Sequence, residues 1–190
     1  MSWNGAGLVS EQVRRICERA RVAARQVARL ESETKVAALI GIAENIRTRR
    51  DELKAANQKD LEAGRAKGLG DALLDRLELN DTRLDQMAAG IEEIAGMSDP
   101  VGEVVSQWRR PGGVEVGQVR IPLGVIGMIY ESRPNVTADA SALSFKAGNA
   151  TILRGGSEAI SSNLAIAALI RDSLEASGVD RNAVQIIETT

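Results

Sequence analysis

Histidine is absent from the 190-residue sequence. That removes Ser–His and Cys–His nucleophile pairs and every histidine metal site, and no metal centre is expected. The single cysteine, Cys17, excludes an intrachain disulfide. It falls in a helical apolar stripe and reads as a small core residue. Aromatic residues make up only 2% of the chain. The core must therefore be built from Ala, Val, Leu and Ile, which favours helices stacked on a sheet over an aromatic-rich all-β sandwich. Charge of one sign is also lacking, with a formal net charge of −2. Neither a nucleic acid nor an anionic membrane is expected as a partner. No apolar run approaches bilayer length, and the first fifteen residues have no signal-peptide core, so a cytoplasmic location is expected. The chemistry left to this chain must use a cofactor, backbone groups, Lys, Arg, Asn or carboxylates.

Apolar residues at 44% and charged residues at 26% are ordinary for a globular chain of one or two domains. Residues 1–9 are expected to be frayed, with Ser10 capping a first helix whose stripe is Val13, Ile16, Cys17, Ala20, Ala24, Val27 and Leu30. Ser32 is a candidate cap for a second helix. Val36, Leu39, Ile40, Ala43 and Ile46 form its apolar face, and it is expected to run to about Ala63, with Gly64 as its stop. Arg47, Arg49 and Arg50 read as a solvated helical face. A short helix over 71–77 follows, then another after Asn80 and Asp81, carrying Leu84, Met87, Ala88, Ile91 and Ala95.

The pattern then changes. Residues 108–110, the turn Pro111-Gly112-Gly113 and residues 114–121 read as a hairpin. Its alternation flips phase at Gly117, which points to a bulge there. A polar ribbon with no core of its own is expected to pair with another subunit.

Two short apolar runs come next, 125–130 and 150–153, and a third at 184–187. They suit strands buried on both faces of a parallel sheet. Pro134 blocks a helix before it, and Asn135 or Thr137 is the expected cap of a crossover helix that ends at Lys146 and Gly148. A further helix begins at Ser157 and stops at Gly178. Three strands make a sheet that looks unfinished, with an edge open to aggregation or element swapping.

Strand, helix, strand, glycine loop and helix make a ligand crevice at the strand ends. In the loop Arg154-Gly155-Gly156-Ser157-Glu158, the glycines permit close backbone approach and Arg154 suits a phosphate. Ser157 and the helix-start amides suit an anion. The same loop reads equally as a plain strand-to-helix turn, since it is not the six-residue dinucleotide fingerprint. Arg133-Pro134-Asn135 is the second candidate, at the end of the first strand. There an Asn amide can donate to a developing oxyanion, or simply cap a helix.

The segments PLGVIG, IYESRPNVT, KAGNA and ILRGGSEA together resemble the gamma-glutamyl phosphate reductases, also called glutamate-5-semialdehyde dehydrogenases. More distantly, they are similar to the aldehyde dehydrogenase superfamily, whose strand-then-Lys-Pro-Ser-Glu loop corresponds to residues 154–158. NQKDLEAG at 57–64 and the ribbon are in register too, so the resemblance covers the whole chain. It implies an aldehyde dehydrogenase-like α/β fold with N-terminal helices over 1–103, an oligomerisation ribbon over 104–121, and over 122–190 the first part of a Rossmann-like NADP-binding sheet.

The resemblance implies reduction of L-glutamate 5-phosphate by NADPH to the 5-semialdehyde, with release of phosphate, in proline biosynthesis. A cysteine thiolate displaces phosphate, and hydride then reduces the thioester. Asn135 matches the oxyanion-stabilising Asn. Arg154 and Ser157, with Gly155, Gly156 and Glu158, match the adenosine-ribose side of the cofactor loop, and Arg154 is placed to favour a 2′-phosphate. Arg133 is a candidate for the acyl-phosphate group. A homo-oligomer and glutamate 5-kinase are the implied partners. Cys17 does not match the catalytic cysteine, so the chain reads as the N-terminal portion of a longer enzyme, inactive alone. The alternatives are a non-catalytic nucleotide-binding or oligomerisation module of the same descent, and a different acylating or ordinary aldehyde dehydrogenase.

Overall fold

The computed structural model describes residues 4–188, with side chains from residue 11 onward. Of residues 1–9, expected to be frayed, 1–3 lie outside the described residues, and 4–9 are helical instead. Helix α1 spans Asn4–Val27, so Ser10 sits within the helix rather than at its cap. Ile16, Ala20 and Ala24 pack on Ala150 and Ile152 of the sheet. Cys17 is exposed, not a core residue. The buried line centres on Ile16, Ala20, Ala23 and Val27, and Cys17 lies a step of about 100° around from Ile16, on the solvent flank.

Helix α2 spans Ser32–Thr48, with Glu31 at the cap position and Ser32 already helical. The long helix expected to reach Ala63 breaks at Arg49 (φ −103°, ψ 24°), and α3 spans Arg50–Ala66. Gly64 lies inside α3 and does not stop it. No Gly or Pro marks the break. Ion pairs hold it instead: Arg49 reaches Glu52 at 2.7 Å and Asp172 at 3.0 Å. The solvated face proves to be a set of such pairs, with Arg47 on Glu92 and Arg50 on Asp85. Helix α4 spans Asp71–Leu77, and α5 spans Asp81–Gly96. Asn80 caps α5, its Oδ1 accepting the Arg83 N–H at 2.9 Å.

The ribbon pairs β1, Val104–Arg109, with β2, Glu115–Val119, antiparallel and exposed almost throughout. Its irregularity falls between Val104 and Ser106. Gly117 pairs regularly with Gln107, so the bulge is not at the glycine.

The parallel sheet has the order β3-β4-β5, formed by Val125–Ile129, Ala150–Arg154 and Val184–Ile186. Helix α6, Pro134–Lys146, joins the first two strands. A single turn over Ser157–Ala159 and helix α7, Ile160–Ala176, join the second and third. β4, in the centre, is buried. β3 is not buried on both faces as expected: it forms an edge, and Val125, Gly127 and Ile129 reach solvent. An apolar run shows that a strand is greasy, not that both its faces are covered. Pro134 is the first residue of α6, and neither Asn135 nor Thr137 caps it. Gly148 closes α6 at φ +79°. Leu39, Ile42 and Ile46 of α2 meet Leu84 and Ile91 of α5, Phe145 of α6 and Leu153 of β4 in one core. Each such buried side chain contributes about 1.5–3 kcal/mol.

Candidate functional site

The carboxyl ends of β3 and β4 lie side by side, with Ile129 in register with Arg154. The Tyr130 N–H donates to the Arg154 carbonyl at 3.1 Å, carrying the ladder one step into the loops. Two loops therefore emerge together, 130–133 and 155–157, and they pack closely. A Cβ on Gly155 would meet the Asn163 amide and, at 3.1 Å, the Tyr130 ring; one on Gly156 would meet the Ser132 hydroxyl and, at 3.1 Å, its backbone nitrogen. The glycines thus serve loop-to-loop packing, and neither has a positive φ.

Side chains lock the loops. The Ser132 hydroxyl donates to the Glu158 carboxylate, and the Ser157 hydroxyl does so at 3.1 Å. The hydrogen bond from Ser132, then Glu158's own backbone N–H, hold this carboxyl below its ordinary range against the effect of burial. Behind the loops runs a relay. The single Thr137 hydroxyl proton goes to Asn163 Oδ1 at 2.9 Å, so the Tyr130 hydroxyl, 2.6 Å away, donates to Thr137. Burial raises the Tyr130 phenol, with the Thr137 bond acting in the opposite direction.

The amino end of α7 is closed from a distance. Asp60 of α3, 3% exposed, accepts the N–H groups of Ser161 at 3.0 Å and Ser162 at 2.7 Å. Asn57, one turn earlier, donates to Ser162 Oγ at 3.0 Å and to the Leu77 carbonyl at 2.7 Å, and it accepts the Leu79 N–H at 2.8 Å. The amides of Ser161 and Ser162 and the Ser157 hydroxyl, expected to receive an anion, are thus engaged by the protein's own carboxylates. Arg154 is not. Among the described residues its guanidinium makes one hydrogen bond, a 3.4 Å contact from Nη1 to the Gly155 carbonyl, and no carboxylate pairs with it.

Two cavities open at these strand ends. The first, about 490 Å³, is lined by Leu73, Arg76, Ser132, Arg133, Gly156 and Glu158 among others. The second, about 300 Å³, includes Met87, Arg133, Asn135 and Asp139. Asn135 Nδ2 donates to Asp139 Oδ2 at 3.2 Å, and burial raises the Asp139 carboxyl, with the Asn135 bond partly offsetting it. The expected site residues therefore divide. Gly156, Glu158 and Arg133 face the first cavity, Asn135 and Arg133 the second, while Arg154, Gly155 and Ser157 line neither.

The sequence pattern of the aldehyde dehydrogenase family matches residues 5–190. The chain belongs to that family. Over 182 residues, 96% of the chain, it is 51% identical to the gamma-glutamyl phosphate reductase of Halothermothrix orenii, of which it covers 44%. The gamma-glutamyl phosphate reductase of Geotalea daltonii is 52% identical over 179 residues, 94% of the chain and 43% of that relative. The crystal structure of gamma-glutamyl phosphate reductase from Thermotoga maritima aligns with a TM-score of 0.90 at 41% identity, over 93% of this chain and 42% of that one. The chain spans less than half the length of these relatives. Aldehyde dehydrogenases are oxidoreductases that act on small molecules and generally use NAD or NADP. Among the described residues no helix is long and apolar enough to cross a membrane.

Asn57, Asp60 and Arg76 escape the sequence reading. A signal for the first two was present. On α3 they share the buried face with Leu53, Leu61 and Gly64, so polar residues at core positions marked a network.

Proposed function

We propose that this chain is the cofactor-side, N-terminal portion of an NADPH-dependent gamma-glutamyl phosphate reductase, which converts L-glutamate 5-phosphate to L-glutamate 5-semialdehyde and phosphate. The observation that carries the reading is 51% identity sustained over 96% of the chain. The site is compatible with it. Arg154, free of carboxylates beside a glycine loop at a strand end, suits a nucleotide phosphate, the 2′-phosphate of NADPH in this reading. Gly155, Gly156, Ser157 and Glu158 complete the loop toward the adenosine ribose. NADPH supplies the hydride when bound. Asn135 keeps one amide N–H on Asp139 and has a second for a carbonyl oxygen as charge develops there.

The nucleophile in this reading is a cysteine other than Cys17, which is exposed on α1 and lines neither cavity. The same reading divides the chain into a helical region over 1–103, a ribbon over 104–121 that pairs with a second copy, and sheet over 122–190. It makes glutamate 5-kinase a partner and the cytoplasm the location.

The test is an assay of the 190-residue chain with NADPH and L-glutamate 5-phosphate, alongside the polypeptide encoded past Thr190. Turnover is expected only where a downstream, glycine-flanked cysteine is present. Ordinary turnover by the chain alone contradicts this placement of the nucleophile. A natural stop at Thr190 would favour a non-catalytic nucleotide-binding or oligomerisation module.

A further inference from the structure

We propose that Arg76 and Arg133 together clamp the phosphoryl group of an acyl phosphate at the wall between the two strand-end cavities. The inference rests on the reductase reading and adds to it a residue, Arg76, from outside the sheet. Arg76 and Arg133 are the two residues that line both cavities. They come from distant parts of the chain, α4 and the loop before α6, and the fold brings them to one partition.

Charge accounting isolates this pair. Asp75 is held by Arg83 at 3.0 Å, Asp139 accepts from Asn135, Glu78 accepts from Asn80 at 3.2 Å, and Glu158 is engaged by Ser132 and Ser157. Glu131 stands exposed at the rim of the first cavity. Of the arginines that line the two cavities, Arg83 is paired with Asp75, whereas among the described residues neither Arg76 nor Arg133 has a carboxylate partner. Two unneutralised guanidinium forks facing one recess are the chemistry that binds a phosphoryl dianion.

Position selects the phosphoryl end of the substrate over its distal carboxylate. Arg133 is two residues from Asn135, and both line the second cavity. In an acyl phosphate the carbonyl oxygen and the phosphoryl ester oxygen share one carbon, so the groups that bind them must be neighbours. A remote carboxylate carries no such requirement.

The test is calorimetric titration of acetyl phosphate, inorganic phosphate and NADPH into the 190-residue chain at low ionic strength. Both phosphates are expected to bind saturably. Arg76→Ala and Arg133→Ala are each expected to weaken acetyl phosphate by about tenfold, the loss of one charged hydrogen-bonding group. Arg76→Lys is expected to restore only part of the loss, and Arg65→Ala, at an exposed arginine outside both cavities, to cause none. NADPH binding is expected to be unchanged by Arg76→Ala. Acetyl phosphate binding indifferent to both arginines, or absent, overturns the proposal. So does an Arg76→Ala loss confined to NADPH, which would assign the pair to the nucleotide. Arginine-dependent acetyl phosphate binding without any NADPH binding supports the clamp and counts instead against the NADPH reading.

Discussion

The carboxylate of Asp60 accepts both the N–H of Ser162, at 2.7 Å, and its hydroxyl, at 2.6 Å. A residue on α3 thus caps α7, a hundred positions away, directly behind the glycine loop. Asp60→Ala leaves the half-buried Ser161 amide and the buried Ser162 amide and hydroxyl without their carboxylate acceptor. A loss of about 2–4 kcal/mol is expected, read as a lower denaturation midpoint at unchanged slope. Asp60→Asn keeps one acceptor oxygen and is expected to lose less. A change within about 0.5 kcal/mol for the alanine variant would contradict the assignment.

Lys35, 1% exposed, meets Asp99 at 2.5 Å, and Lys146, also buried, donates to the Ala95 carbonyl at 2.9 Å. Burial opposes ionisation of Asp99, but the Lys35 hydrogen bond, the Val101 N–H and the charge of Lys146 hold its carboxyl below the ordinary 3.8. A depressed folded pKa adds stability that is present above the unfolded value and lost as pH falls through the folded one. Asp99→Ala leaves a buried lysine unpaired and is expected to cost about 3–5 kcal/mol at neutral pH. The difference between wild type and variant is expected to shrink as pH drops below about 3.8. A difference independent of pH would show that Asp99 is not the group responsible.

Gly156→Ala drives a methyl into the Ser132 hydroxyl and backbone, which cannot both yield. The Ser132–Glu158 bond is expected to break, at about 1–3 kcal/mol. Gly41→Ala, with open space at that position, is the matched control and is expected to be neutral or stabilising. Equal behaviour of the two variants would mean that loops 130–133 and 155–157 are not tightly packed.

Where local signals agree, the sequence is legible. Leu84, Met87, Ala88 and Ile91 after Asn80 and Asp81 give the buried face of α5, and the short run 150–153 marks the central strand. Failures come from contacts across the chain. The break at Arg49 is held by Asp172, far along the sequence, and no local residue announces it. Cys17 misses the core because it lies one helical step, about 100°, around α1 from the buried Ile16. β3 is apolar yet open to solvent, because cover depends on neighbours. For the site, the glycine loop and Arg133-Pro134-Asn135 are found from their place at strand ends. Asp60, Asn57 and Arg76 reach the site only through tertiary packing.

The most direct measurement is calorimetric titration of NADPH, then NADH, into the chain and into Arg154→Ala. NADPH is expected to bind more tightly than NADH, with the preference lost in the variant, because Arg154 holds the 2′-phosphate. Equal binding of both nucleotides, unchanged by Arg154→Ala, would contradict it.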